Sequence, residues 1–393
     1  MTWTRALVAL ASVWLGARCG DILDLHPGYA SSSMCSSSSE CAPDEMCIDS
    51  ICLPSSCHAG QRRCHGLKAL RCGPEQSWEV TPCASMCSEG DCVVPKSCGT
   101  LALACAGDAS CCESIEIEGG SFNMSYAYPD PASEGARAAT KTVPREVHDF
   151  ALDRFEVTAG RFKQFVLSYN TLGAPDEAAG AHPAFPTSGW QSAWNDDAER
   201  YPGSAAALET VLRQNEQDAS DDTDLLLPIR GVNWYVAMAF CIWDGGRLPT
   251  EAEWAYAAFG GKRGYDYPWA DMDDSAPPID HDHAQYCDKT LGCEGPSHVG
   301  DHGSGRGAFT HEDLAGNLAE WVADKFALRL PRDCESAEGS ECLQLEGTEN
   351  RVTRGGSYRD SGDLLRNVYR SSEVAFKARP WIGFRCARDL VRH

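Results

Sequence analysis

Apolar and polar residues alternate along IEIEGGSFNMS from Ile115 and along VHDFALDRFEVT from Val147, on either side of a Pro-, Ala- and Gly-rich loop at 126–145. A period of two predicts two strands. The period then changes. Phe162, Phe165, Val166 and Tyr169 recur at i, i+3, i+4 and i+7, which predicts a helix opened by Thr158 as N-cap, its aromatic stripe facing a core rather than a cofactor. Residues 171–227 read as an insertion with a helix at Ala205 to Gln214 and an acidic turn, DASDDTD. That turn lacks the alternation and central glycine of a calcium loop, so a solvated acidic loop is the expectation. Asn233 caps the next apolar helix, which carries Trp234, Ala237, Met238, Cys241 and Ile242, and Gly245-Gly246 ends it. Thr250 stands three residues before Glu253, the capping-box spacing, and Pro249 can pack on Trp254 across the start of a further helix. From Gly261 to Phe309 the chain is rich in Pro, Asp, His and Gly, and irregular structure with a Cys287 to Cys293 loop is expected.

Cysteines change the picture of the first third. Of 21 in the 393-residue chain, 15 lie within residues 1–112, and six follow: Cys241, Cys287, Cys293, Cys334, Cys342 and Cys386. Setting Cys19 aside leaves fourteen and six, both even, as seven and three disulfides require. Residues 30–112 are small, polar and without apolar periodicity, so they need such cross-links to hold a structure. Three modules fit the spacing: Cys35 to Cys57, Cys64 to Cys92 around Trp78, and Cys98 to Cys112. Zinc is the competing reading, and the loose spacings favour disulfides.

The formal charge of −23 disfavours nucleic acid and anionic lipid as partners. In MTWTRALVALASVWLGARC, Arg5 precedes the apolar run Ala6 to Leu15, too short to span a bilayer and suited to a signal peptide over residues 1–19. Export follows, with two forms open. Cys19 could carry a lipid anchor, although Arg18 stands where a lipoprotein signal has a small residue, or the chain could simply be secreted.

GRLPTEAEWAYAAFGG from Gly246, DLAGNLAEW from Asp313, RVTRGGSY from Arg351 and IGFRCAR from Ile382 together resemble the formylglycine-generating-enzyme family, the sulfatase-modifying-factor domain. The resemblance implies an α+β domain over 113–393, the sulfatase-modifying-factor variant of the C-type-lectin-like fold, preceded by the disulfide-rich modules of 30–112. It also implies an oxidoreductase that converts a cysteine to formylglycine at a copper ion held by two thiolates. Here the run continues as GGSYRDSGDLLRNVYRS, so Asp360 takes the first cysteine's place, and the shortened segment after it has none. Aspartate is a hard oxygen donor and cannot replace a Cu(I) thiolate, so no copper is expected. The family's iron-dependent sulfoxide synthases carry an HxxxHxE run that this chain lacks. His281, His283, His298, His302 and His311 could in principle supply two ligands for Fe(II), and exposed loop histidines are the plainer expectation.

By the same resemblance Glu320, with the main chain at Ala315, Gly316 and Leu318, matches a calcium-binding turn, for which a capping carboxylate without metal is the alternative. A second family calcium site expects an Asn near Gln285 and an Asp-Gly near His298, and neither is present. Cys241 and Cys386 match a family disulfide worth roughly 4–5 kcal/mol by loop-closure entropy. The family's other core pair is missing from both of its positions, near Ala258 and Asn367. Trp321 and Ser357 match residues of the family's substrate cleft, and Trp381 stands where that cleft has an asparagine. Two functions remain: an exported, non-catalytic protein that binds a protein or glycan at the cell envelope, or an oxidoreductase of this family with another metal site, drawn from Asp360, Asp363 and nearby histidines, or another substrate.

Overall fold

The computed structural model describes residues 35–99, 103–127, 140–215, 224–269, 279–288, 290, 292–327 and 341–390. The chain divides into two units, Met1–Cys57 and His58–His393. In the first, β1 (Glu45–Ile48) and β2 (Ile51–Pro54) pair antiparallel through Asp49 and Ser50, both at positive φ. Disulfides Cys35–Cys47 and Cys41–Cys52 hold this hairpin where a core is too small to do so.

The second unit opens with a three-stranded antiparallel sheet of β3 (Arg62–His65), β4 (Lys68–Cys72) and β5 (Trp78–Pro82). Two hairpins follow, β6 (Met86–Ser88) with β7 (Asp91–Val93), and β8 (Ala104–Ala106) with β9 (Ala109–Ser110). Bonds Cys64–Cys87, Cys83–Cys92, Cys98–Cys112 and Cys105–Cys111 staple them, and Leu67, Leu70 and Trp78 supply the buried apolar surface.

The division falls after Cys57, whereas the sequence places it at 112/113. Residues 58–112 belong with the large domain because buried polar contacts sew them to it. Ser97 N donates to Asp244 Oδ1 at 2.7 Å, Arg161 Nε to Ser97 Oγ at 3.0 Å, and Leu67 N to Glu116 Oε2 at 3.0 Å. Arg161 is the hub of this seam. Its guanidinium, wholly buried, also meets Asp153 at 2.9 Å and Asp244 at 2.7 Å, and Arg388 closes the ring on both carboxylates.

The domain proper begins with β10 (Ser114–Ile117), which pairs with one edge of β13 (Phe150–Asp153), while β18 (Ala387–Asp389) pairs with the other, so the two ends of the domain share one sheet on either side of β13. Between them β11 (Gly120–Tyr126) and β12 (Lys141–Val147) form a hairpin. Helices α1 (Ala159–Leu172), α2 (Ala205–Gln214), α3 (Trp234–Trp243) and α4 (Glu251–Ala258) start at Thr158, Ser204, Asn233 and Thr250, each of whose side chains accepts a main-chain N–H. A four-stranded sheet completes the fold in the order β16 (Arg370–Val374), β15 (Asn350–Arg354), β14 (Ala319–Lys325), β17 (Ile382–Gly383), with only the β14–β17 pair parallel. One core packs α1 and α3 around Phe162, Phe165, Phe240 and Trp321, and a second packs α4 on the β11–β12 hairpin through Trp254, Tyr256 and Phe122.

The capping box at Thr250 is present and carries more than its two hydrogen bonds. Arg247 grips Glu253 with both terminal nitrogens, at 2.7 and 2.6 Å, and His182 Nε2 lies 3.5 Å from the same carboxylate. Burial alone would raise the Glu253 carboxyl, but Arg247 and His182 hold it well below the usual carboxylate range. A depressed folded value gives stability that is present above the unfolded value of about 4.3 and lost as the pH falls below it. Glu253→Gln is therefore expected to cost about 1.5–3 kcal/mol at neutral pH and progressively less toward pH 3 in urea denaturation; a cost independent of pH contradicts this account.

Candidate functional site

The turn after β15 is where catalytic chemistry would have to sit, and its geometry follows from Gly355 and Gly356, both at positive φ. At Gly356 a Cβ would lie 3.0 Å from the Leu365 side chain, so the bend needs glycine. It brings Ser357 back toward Asp360. Ser357 N and Oγ both donate to Asp360 Oδ2, at 2.9 and 2.8 Å, while Asp360 N donates to Ser357 O at 2.9 Å. The aspartate thus closes the turn on itself, and its main-chain oxygen receives Cys287 N at 2.9 Å. No thiol is near to replace the missing ones: every cysteine among the described residues is disulfide-bonded, Cys342 included. Cys334 and Cys19, with the signal-peptide and lipid-anchor expectations, lie outside the described residues, as does the acidic turn except for Asp224.

Three residues expected along a cleft are placed differently from one another. Trp321 is fully buried in the first core, its Nε1 donating to Val232 O at 3.1 Å, and Ser357 is fully buried beneath Asp360. Trp381 reaches the surface, where Arg359 stacks over its ring at 4.7 Å and Arg379 at 5.7 Å.

The histidines stay apart. His283 bonds Asp280 at 2.6 Å, His298 meets Asp224 at 2.7 Å, His302 is held by Ser297 and the carbonyl of His281, and His281 stacks on Tyr286. His311 corrects the expectation of an exposed loop residue: it is fully buried, and burial together with Arg385 pushes its pKa down to about 3, so it is neutral. Among the described residues the one set of three or more candidate ligand atoms lying mutually close is Cys35, Cys41 and Cys52, whose sulfurs are in disulfides.

The turn from Asp313 to Glu320 differs in character. Gly316 sits at φ +79° with Gln285 O 2.4 Å from where a Cβ would be, which folds the main chain back on itself. Glu320 does not wait there as a free carboxylate: Arg385 Nε and Nη2 donate to both its oxygens at 2.7–3.0 Å, and Trp254 Nε1 donates at 2.8 Å. Sequence reasoning missed two further acids beside it. Glu156 is fully buried, accepts Leu318 N and Asn317 Nδ2, and is raised well above the usual range by burial and by Asp313 and Glu320. Burial likewise lifts Asp313 to about 7, with Glu312 and Glu320 adding to it. Three carboxylates thus face one guanidinium, and no carbonyl of Ala315, Gly316 or Leu318 accepts a main-chain hydrogen bond from the loops among the described residues. Buried acids beside carbonyls that accept no loop N–H among the described residues are by type a donor set for a hard divalent cation, although no three acid oxygens at this turn lie mutually close.

Cys241 on α3 and Cys386 before β18 are bonded, with Cα atoms 5.5 Å apart, and so are Cys287 and Cys293. Where the family's second core disulfide is missing, Asn367 Nδ2 donates to Ala258 O at 2.7 Å and to Tyr265 O at 2.9 Å. A polar bridge spans the two positions where the resemblance expects cysteines.

An α+β domain whose first and last strands flank β13 in one sheet, with two disulfide-linked or hydrogen-bonded core ties and a Gly-Gly-Ser turn after β15, defines the class. Residues 103–390 match the Sulfatase-modifying factor enzyme 1-like domain, and the chain belongs to that family. It is 29% identical over 314 residues to the formylglycine-generating enzyme of Mycobacterium tuberculosis, covering 71% of this chain and 98% of that protein. Over 328 residues it is 29% identical to the mouse (Mus musculus) inactive C-alpha-formylglycine-generating enzyme 2, covering 75% and 91%. A 165-residue stretch, 42% of this chain, is 33% identical to the serine/threonine-protein kinase Pkn1 of Chlamydia trachomatis, of whose length it spans only 24%.

Proposed function

We propose that this chain is an exported, non-catalytic member of the family that binds a protein or glycan partner at the cell envelope, with calcium as a structural ion at the Asp313–Glu320 turn. The observation that carries this reading is the closed Ser357–Asp360 turn, in which the side chain replacing a copper thiolate is consumed by two hydrogen bonds from Ser357. Nineteen bonded cysteines fit an oxidising compartment, and no helix among the described residues is long and apolar enough to cross a membrane. The resemblance to a relative called inactive supports the same direction. The purified protein is expected to carry calcium in elemental analysis, to lose thermal stability on chelation, and to leave a cysteine peptide unmodified in the presence of copper. Turnover of that peptide, or a stoichiometric redox metal lost with Asp360→Ala, overturns the non-catalytic reading.

A further inference from the structure

A cavity of about 210 Å³ opens between the loop at 187–200, the first turn of α3 and the ends of β14 and β15. Its charge runs against that of the molecule. Arg200, Lys325 and Arg351 line it with Glu349 as the one acid, a balance of three minus one, or +2, in a chain whose net charge is −23. Lys325 and Arg351 are direct cross-strand partners on β14 and β15, an arrangement of like charges that costs stability unless something compensates it.

Compensation among the described residues is partial, from Asp324 and Glu349 acting on Arg351 without a direct ion pair. Arg351 is only 6% exposed, and neither it nor Lys325 has a carboxylate within ion-pair distance. The acid opposite Arg351 on β16, Glu373, is engaged by Arg379 at 2.5 Å, and Glu349 lies 3.8 Å from Arg200. Arg351 is nevertheless held in place: its guanidinium stacks 3.6 Å above the Trp234 ring and Nη1 donates to Ala323 O at 2.6 Å. That single bond leaves its other N–H groups unused, and the desolvation shows as a pKa pushed down to about 10. The Tyr235 hydroxyl also lacks a hydrogen-bond partner among the described residues, while Arg200 covers the ring. Thr187, Ser188 and Gln191 add a polar rim.

A fixed guanidinium with N–H groups left open toward the cavity selects a planar oxyanion, which it can grip in a fork, and a second cation beside it strengthens that choice. The volume lies below the ~300–1,000 Å³ of sites for drug-sized ligands and suits one ring. A tyrosine hydroxyl and a hydroxyl- and amide-bearing rim suit a ligand whose body is polar. We propose that this cavity binds a carboxylate-bearing sugar of the uronate type, its carboxylate between Arg351 and Lys325 and its hydroxyls toward Tyr235 and the rim. The site lies apart from the Ser357–Asp360 turn and deepens the binding reading above, on which it rests only for its biological sense.

The test is calorimetric titration of the full chain at low salt with D-glucuronate, D-glucose, D-glucose 6-sulfate and inorganic sulfate. Glucuronate is expected to bind with a Kd of about 1 mM or tighter, at least tenfold more tightly than glucose or inorganic sulfate, with added salt weakening it. Lys325→Gln, on a half-buried position, should fold normally by thermal denaturation and weaken glucuronate by about tenfold or more. No glucuronate binding, equal binding of glucose or of sulfate, tighter binding of the sulfate ester, or an unchanged Kd in Lys325→Gln each overturns the proposal. None of those results touches the copper assay, so the two readings fail separately.

Discussion

Replacing Cys241 and Cys386 together by alanine is expected to lower the unfolding free energy by about 4–5 kcal/mol. The bond closes a loop with a sequence separation of 145 residues, joining α3 to the segment just before β18. Most of the loss arises in the unfolded chain, which gains the freedom the bond withheld, and the folded state adds a smaller cost from the two sulfurs removed from the packed first core. The denaturant midpoint should therefore drop while the m-value rises, since a longer unconstrained loop exposes more surface on unfolding. A variant with an unchanged midpoint would mean that the other ties between these elements already fix the same topology.

Local structure was legible in the sequence wherever it depends on near neighbours. Thr158, Asn233 and Thr250 are caps in the structure because capping needs only a side-chain oxygen and an N–H two or three residues on. The even cysteine counts likewise depend on no geometry, and all fourteen cysteines from Cys35 to Cys112 are bonded. What escaped is made of partners far apart in the chain. Arg161 and Asp244 are separated by 83 residues, and nothing in either neighbourhood says that both are buried. The same holds for Asn367 reaching Ala258 across 109 residues, and for Glu156 meeting Asn317 of the Asp313–Glu320 turn across 161 residues. His311 was read as a loop residue from its polar surroundings, and the core that Arg385 and Leu152 build over it comes from distant segments. At the site, the sequence identified the replacement of a thiolate by Asp360 but not its consequence, because the return of the carboxylate onto Ser357 depends on how the two glycines bend the main chain.

Arg161→Met is expected to be the most damaging single change to the seam between residues 58–112 and the rest of the large unit, at about 3–5 kcal/mol. The side chain is replaced at nearly equal volume, so the loss is not a cavity effect. Its removal leaves Asp153 and Asp244 buried with Arg388 as their remaining cation, and strips Ser97 Oγ and the Cys111 carbonyl of a donor. Two ionised carboxylates in that setting repel each other and lack water, which is why cutting one partner from a buried network costs more than the network contributes overall. Two comparisons separate this from ordinary damage. Arg161→Met combined with Asp244→Asn, which removes the stranded charge while keeping an acceptor for Ser97 N, should recover part of the loss, with a coupling of about 1–3 kcal/mol in the mutant cycle. Proteolysis should also cut within residues 58–112 of Arg161→Met before it reaches the core helices, because the seam opens first. Additive losses in the cycle, or uniform proteolysis along the chain, would show that Arg161 contributes packing alone.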